Sequence, residues 1–315
     1  MNKAQSNTVT LLEVAPRDGF QSISTPLPSE EKIAIILSLF DAGCRRVEIG
    51  SFVSPKAVPQ MSDMDRIAAA VLERLAEDDT RRASVLVPNR RGAELALRNG
   101  LREIVYVFSA SEAHNRENVR RTVTESLEEL ARIVAELEGE AVHLRVALGT
   151  SFDCPFEGAV AFDTVRDCVR GIRERAPRAE IALCDTTGRA SPFEVGRRFE
   201  AMRDEAGEGV RWAFHGHDTF GQGVANALAA WHAGVRMFDA SCGGLGGCPF
   251  APGASGNTAT EDLVYAFAAG GVRTGINLHA LLDVAERIAV LPGGVTGGHL
   301  RNVPRERVRS RALPR

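Results

Sequence analysis

Short apolar runs rich in Val, Ile and Leu alternate along this chain with stretches whose apolar residues return every third or fourth position. Runs of the first kind lie near Val9–Val14, Arg46–Ile49, Ala83–Val87, Glu103–Phe108, His143–Leu148, Glu180–Leu183, Val210–His215 and Val235–Asp239, and read as buried strands. The stretches between them read as amphipathic helices. Ile33, Ile36, Leu37 and Phe40 line one face, with Ser29 expected as N-cap and Glu30 and Glu31 suited to the positive helix end. Leu127, Leu130, Ile133, Val134 and Leu137 mark another. Eight strands in strict alternation with helices predict a closed (β/α)8 TIM barrel over residues 1–275. A doubly wound open sheet is the weaker alternative, because eight such units more often close. A short C-terminal helical extension is expected over 276–300. Residues 301–315 carry six arginines against one glutamate and read as a basic, solvated tail without fixed structure, the alternative being a phosphate or partner contact.

Composition narrows the setting. A chain of 315 residues with 44% hydrophobic and 25% charged residues buries a sizeable core, which excludes a disordered protein. A formal net charge of -3 gives no global attraction to nucleic acid. The six cysteines are scattered, with no C-x-x-C pair, which fits a reducing cytoplasm. Met1–Val9 is polar, unlike a secretory signal, and no apolar run is long enough to span a bilayer. A cytoplasmic enzyme with no membrane and no nucleic-acid partner is the expectation.

A barrel of this kind gathers its chemistry at the C-terminal ends of the strands. That rim would hold Arg17 and Asp18 after the first strand, Glu48 in the second, Asp185 after the sixth, and His215 and His217 at the end of the seventh. Residues i and i+2 of a strand face one way, so His215 and His217 can converge on one ion. After the eighth strand comes a glycine-dense loop, Gly243-Gly244-Leu245-Gly246-Gly247-Cys248, continuing to Gly253-Ala254-Ser255-Gly256-Asn257. Asp18, His215, His217 and Asn257 would supply one carboxylate, two imidazoles and an amide oxygen, a set suited to Mg²⁺ or Mn²⁺ rather than a closed thiolate zinc site. Arg17 would stabilise negative charge on a carboxylate or thioester oxygen, with Glu48 as its partner or a proton carrier. Cys248 is the thiol placed to exchange a proton when its loop closes. Cys44 and Cys168 read as core, while Cys154, Cys184 and Cys242 are expected along the mouth without chemistry. Asn89, Arg90 and Arg91 read either as a phosphate contact or as an exposed helix start.

Over about residues 9–290 the chain resembles the 3-hydroxy-3-methylglutaryl-CoA lyase family, metal-dependent lyases built on TIM barrels. The segments that carry the likeness are Pro16-Arg17-Asp18-Gly19-Phe20-Gln21, Ser51-Phe52-Val53-Ser54-Pro55-Lys56, Cys154-Pro155-Phe156-Glu157-Gly158, His215-Gly216-His217-Asp218-Thr219 and the run from Gly244 to Tyr265. The resemblance implies that Asp18, His215, His217 and Asn257 hold the metal and that Arg17 and Cys248 are catalytic. It also implies that Glu48 and Asp185 are supporting acids. The implied reaction is retro-Claisen cleavage of an acyl-CoA to acetyl-CoA and a keto acid, acetoacetate for the parent substrate. The base stays open between Asp18, Glu48, Asp185 and a histidine. Barrels of this group commonly pair, so a homodimer is expected. Several positions depart from the family pattern: Ala57 replaces a usual Trp, Ala147 a Tyr and Ala182 a Ser, and the segment Cys184-Asp185-Thr186-Thr187-Gly188-Arg189-Ala190 departs as well. Losing two rings and a hydroxyl is expected to enlarge the pocket or remove hydrogen-bond donors, which makes citramalyl-CoA the closest alternative substrate. A condensing acyltransferase and an inactive metal- or CoA-binding protein are weaker readings.

Overall fold

Each expected strand is present: β1 (Thr10–Glu13), β2 (Arg46–Ser51), β3 (Arg82–Val87), β4 (Glu103–Ser109), β5 (His143–Gly149), β6 (Glu180–Asp185), β7 (Arg211–Gly216) and β8 (Met237–Ala240). The computed structural model describes residues 7–76, 82–207, 209–247 and 256–309. Its strands pair in parallel in the order β1-β8-β7-β6-β5-β4-β3-β2 and close on themselves, a TIM barrel rather than an open sheet. Around it run α1 (Ser29–Asp41), α2 (Met64–Leu75), α3 (Arg90–Arg98), α4 (Glu112–Val119), α5 (Val123–Glu136), α6 (Phe162–Arg175), α7 (Pro192–Ala206), α8 (Gly223–His232), α9 (Thr260–Ala269) and α10 (Leu278–Ala289). A small hairpin, Asp153–Cys154 with Gly158–Ala159, decorates the rim after β5. No helix among the described residues is long and apolar enough to cross a membrane.

Strand alternation divides the core into two shells. On β7, Trp212 and Phe214 turn outwards and meet Phe199 of α7 edge-on, at 6.3 and 6.1 Å between ring centroids. Their neighbours Arg211, Ala213 and His215 therefore turn the other way. In the register, Ala147 lies beside Ala182, Ala182 beside Ala213, and Ala213 beside Met237. Barrel interiors usually stack bulky branched side chains. Here the small row leaves width for charge, and Arg145, only 1% exposed, runs inside the barrel.

The helices start for legible reasons, with one correction. Thr122 and Glu125 form a reciprocal capping box at the head of α5. Ser29 does not cap α1: Pro28 takes the cap position, Ser29 is already helical, and its hydroxyl donates to Asp63 at 2.7 Å. Asn89 accepts from Gly92 N–H at 2.9 Å and caps α3, while Arg90 and Arg91 pair with Glu136 and Glu94, so this segment is a helix start. After the barrel, α10 packs against α1 and α9. The start of the basic tail, expected as a solvated end, docks there instead. Arg305 meets Asp283 and Glu286 of α10 at 3.1 and 2.8 Å, and Val308 is buried.

Candidate active site

The chain leaves β1 through a tight turn, Ala15–Gly19, in which the N–H groups of Arg17, Asp18 and Gly19 all point at the Val14 carbonyl. Such π-type turns often mark functional sites. This one lays Arg17 and Asp18 across the barrel mouth. Arg17 Nε donates to Glu48 Oε1 of β2, and its Nη1 lies 2.6 Å from Asp18 Oδ1. Glu48 is almost fully buried, so its carboxylate has little but the guanidinium to offset the loss of water.

His215 ends β7, and His217 continues the extended run as a one-residue bridge to Asn257. Their rings lie 5.2 Å apart. Asn257 Nδ2 donates to Asp18 Oδ2 at 2.8 Å, which ties the end of the glycine loop to the turn after β1. The loop can fold this way because Gly246 and Gly256 adopt left-handed backbone, φ +148° and +88°. A Cβ at Gly246 would stand 2.5 Å from Asn257 Nδ2, and one at Gly256 would stand 2.6 Å from the Gly244 carbonyl oxygen.

One carboxylate oxygen of Asp18 and one nitrogen from each of His215 and His217 lie within 4.8 Å of one another, a group that could hold a metal ion. Four further observations fit a cation. Asn257 Oδ1 and His217 Nδ1 are buried without a hydrogen-bond partner. His215 Nδ1 is taken by Asp239 Oδ2 at 3.1 Å, which leaves Nε2 as the ligand nitrogen. Burial alone would raise the Asp18 carboxyl, but Arg17, the two imidazoles and the Asn257 amide outweigh it and hold it at about 2. Burial, helped by His215, lowers His217 to about 4, so this imidazole is neutral near pH 7 and free to donate a lone pair.

Asp185 reaches the same rim, and its backbone carbonyl accepts from His217 N–H at 3.2 Å. Its carboxyl turns away into the following loop, accepting from Ala190 N–H at 3.2 Å, and burial pushes it up to about 7 against those backbone donors. Arg17, Asp18, Glu48, His215, His217 and Asn257 thus come together, with Asp185 beside them through the backbone. Cys248 and its neighbours to residue 255 lie outside the described residues. Cys154, Cys184 and Cys242, expected along the mouth, are all buried; Cys184 is the register partner of His215, and Cys154 lies in the hairpin after β5. Two residues escaped the sequence reading, Asp239 and Arg145. The signal that exposed Glu48, a charge between apolar neighbours in a strand, was present at both.

The three alanines that depart from the family pattern sit in different places. Ala57 is exposed in the segment after β2, Ala147 is half-buried, and Ala182 is 0% exposed. The three therefore do not share one exposed surface: of the inward-facing pair, Ala147 keeps part of its surface open and Ala182 does not. Ala182 is the register partner of Ala147 and is fully buried.

The HMGL-like family model matches residues 8–288. The chain is 43% identical to the (R)-citramalyl-CoA lyase of Chloroflexus aurantiacus, covering 90% of this chain and 91% of that one. It is 40% identical to the hydroxymethylglutaryl-CoA lyase of Pseudomonas mevalonii, covering 90% and 93%. Among solved structures, an HMG-CoA lyase from Acinetobacter baumannii in complex with coenzyme A and 3-methylmalate superposes with a TM-score of 0.87 at 37% identity, over 95% of this chain and 96% of the other. With the closed barrel and the rim cluster in place, these likenesses show that the chain belongs to the HMGL-like family and is a carbon–carbon lyase.

Proposed function

We propose that this protein is a divalent-metal-dependent lyase that cleaves a 3-hydroxy-3-methylglutaryl-CoA-like thioester to acetyl-CoA and acetoacetate. The observation that carries this reading is the convergence of Asp18, His215, His217 and Asn257 beside an arginine already oriented by a buried carboxylate. Asp18, His215, His217 and the Asn257 amide oxygen would hold the ion. A bound Mg²⁺ or Mn²⁺ would supply Lewis acidity to the substrate's oxygen atoms. The 3-hydroxyl proton passes to a basic group of the rim, and the oxygen's electrons form the new keto carbonyl as the C2–C3 bond breaks. The electron pair of that bond moves onto the acetyl-CoA fragment as its enolate. Arg17 stabilises the negative charge on the thioester oxygen, and Glu48 keeps the guanidinium aimed. The thiol of Cys248 returns a proton to C2. Asp185 organises the loop after β6 and fixes the His217 backbone.

Citramalyl-CoA, cleaved to acetyl-CoA and pyruvate, is the second reading. Two observations favour it: the half-buried Ala147 in the row beneath the rim, and the likeness to the Chloroflexus enzyme. The test offers each thioester separately with Mg²⁺ or Mn²⁺ and identifies products by mass spectrometry. Acetoacetate and acetyl-CoA, abolished by EDTA and by Cys248→Ala, is the expected result. Pyruvate from citramalyl-CoA alone would move the substrate to the second reading, and metal-independent cleavage would overturn the mechanism.

A further inference from the structure

A chain of buried ions inside the barrel ends on the candidate metal site. Asp239 Oδ2 lies 3.1 Å from His215 Nδ1, and Asp239 Oδ1 accepts from Arg145 Nη2 at 2.5 Å. Arg145 Nη1 is 3.3 Å from Glu180 Oε1. Glu180 in turn meets Arg46 at 3.2 Å, and Arg46 Nε donates to Glu103 at 2.9 Å near the opposite end of the barrel. Arg145 and Glu180 are each 1% exposed. Burying charges this deeply costs desolvation that their attraction need not repay, so stability alone is a poor reason for the arrangement. The row of Ala147, Ala182 and Ala213 separates the Arg145 level from that of His215 and Asp239, and its small side chains give the guanidinium room to reach upwards.

We propose that Asp239 is a positioning residue for His215, and that Arg145 fixes Asp239 in that task. This rests on the metal reading above. A carboxylate only accepts, so it keeps the imidazole proton on Nδ1 and leaves the Nε2 lone pair for the ion. Arg145 occupies the other oxygen, which restrains the carboxylate from turning towards the ion as a ligand in its own right. Partners of this kind commonly set both the tautomer and the basicity of a metal-binding histidine.

Asp239→Asn separates this role from simple packing. The side chain keeps its shape but has one oxygen and one NH2. Arg145 is a donor only and takes the oxygen, so the NH2 faces His215 Nδ1 and drives the ring proton onto Nε2, the nitrogen the ion needs. The measurement is the tautomer of His215 in metal-free, ¹⁵N-histidine-labelled protein well above the imidazole titration range, assigned by its loss in His215→Gln. Mn²⁺ affinity is read in parallel from the EPR signal of the free ion. The expected result is an Nδ1–H tautomer in the wild type, an Nε2–H tautomer in Asp239→Asn, and Mn²⁺ binding weakened about 10–100-fold. An Nε2–H tautomer in the wild type would overturn the proposal whether or not the variant folds, as would unchanged Mn²⁺ affinity in a folded variant. Failure of the wild type to bind Mn²⁺ would instead sink the metal reading, before any substitution is made.

Discussion

Glu48→Gln asks how far the site depends on one buried carboxylate. Glu48 is 1% exposed, its Oε1 takes Arg17 Nε, and the same guanidinium reaches Asp18 at 2.6 Å. A hydrogen bond to a charged group contributes about 1.5–3 kcal/mol and a neutral one about 0.5–1.5. Replacing the carboxylate by an amide of the same shape should therefore remove about 1–2 kcal/mol of the force that orients Arg17. Arg17 is assigned to charge that develops during bond cleavage, so the loss should fall on turnover rather than on substrate binding. At 1.36 kcal/mol per tenfold, kcat should drop about 5- to 30-fold with KM little changed. Glu48→Ala leaves the guanidinium without its buried partner and should also destabilise the fold by about 3–5 kcal/mol. The assay is steady-state cleavage of the preferred acyl-CoA at saturating Mg²⁺, with thermal melting of each variant alongside. A Gln variant that loses stability yet turns over at the wild-type rate would refute the reasoning, since Glu48 would then be a packing partner with no hold on chemistry.

Four further outcomes are expected. Ala182→Ser buries a hydroxyl in a sealed row at a cost of about 1–3 kcal/mol and leaves substrate preference unchanged. Ala147→Tyr should alter the ratio of kcat/KM between 3-hydroxy-3-methylglutaryl-CoA and citramalyl-CoA, and an unaltered ratio would remove Ala147 from the specificity argument. Gly246→Ala would place a Cβ against Asn257 Nδ2 in left-handed backbone, costing about 1–3 kcal/mol. It should weaken Mn²⁺ binding, read by calorimetry; full affinity would mean that Asn257 is not a ligand. Glu261 is buried with Oε1 unpartnered, and burial pushes its carboxyl up to about 7 despite the N–H of Gly243. A carboxyl raised on folding stabilises fully below its unfolded value, near 4.5, and that contribution is lost as pH rises through about 7. Glu261→Gln should flatten the decline of the urea midpoint across that window, and an undiminished slope would place the proton elsewhere.

Much of the molecule was legible because barrel rules convert sequence order into place. Each strand ended within a few residues of its apolar run. Since strand ends define the rim, Asp18, His215, His217 and Asn257 could be grouped before any coordinate was known. Ser29 misleads because a preceding Pro28 holds the cap position with its fixed backbone, and the serine hydroxyl bonds Asp63, just ahead of α2, which sequence spacing cannot reveal. Ala147 and Ala182 are register partners, yet one is half-open and the other sealed. Barrel strands tilt relative to the axis, so neighbours in register differ in depth, and depth is written in no single strand. Asp239 and Arg145 escaped because their meaning lies in each other.

The roots of the glycine loop lie side by side: a Cβ on Gly256 would touch the carbonyl oxygens of both Gly244 and Gly246. Below them, Glu13 accepts from Cys242 N–H at one root and from the Thr260 hydroxyl at the other. The two flanks, Cys242–Gly246 and Gly256–Thr260, are therefore fixed to each other and to β1 by their own contacts. With the flanks held in this way, doubling the length of the intervening sequence would add only about 0.6 kcal/mol of closure entropy. Evolution, or an engineer, could rewrite residues 249–255 to suit another acyl chain while Cys248 and the ion-holding residues stay, so new specificities in this lineage need not be built from the barrel outwards.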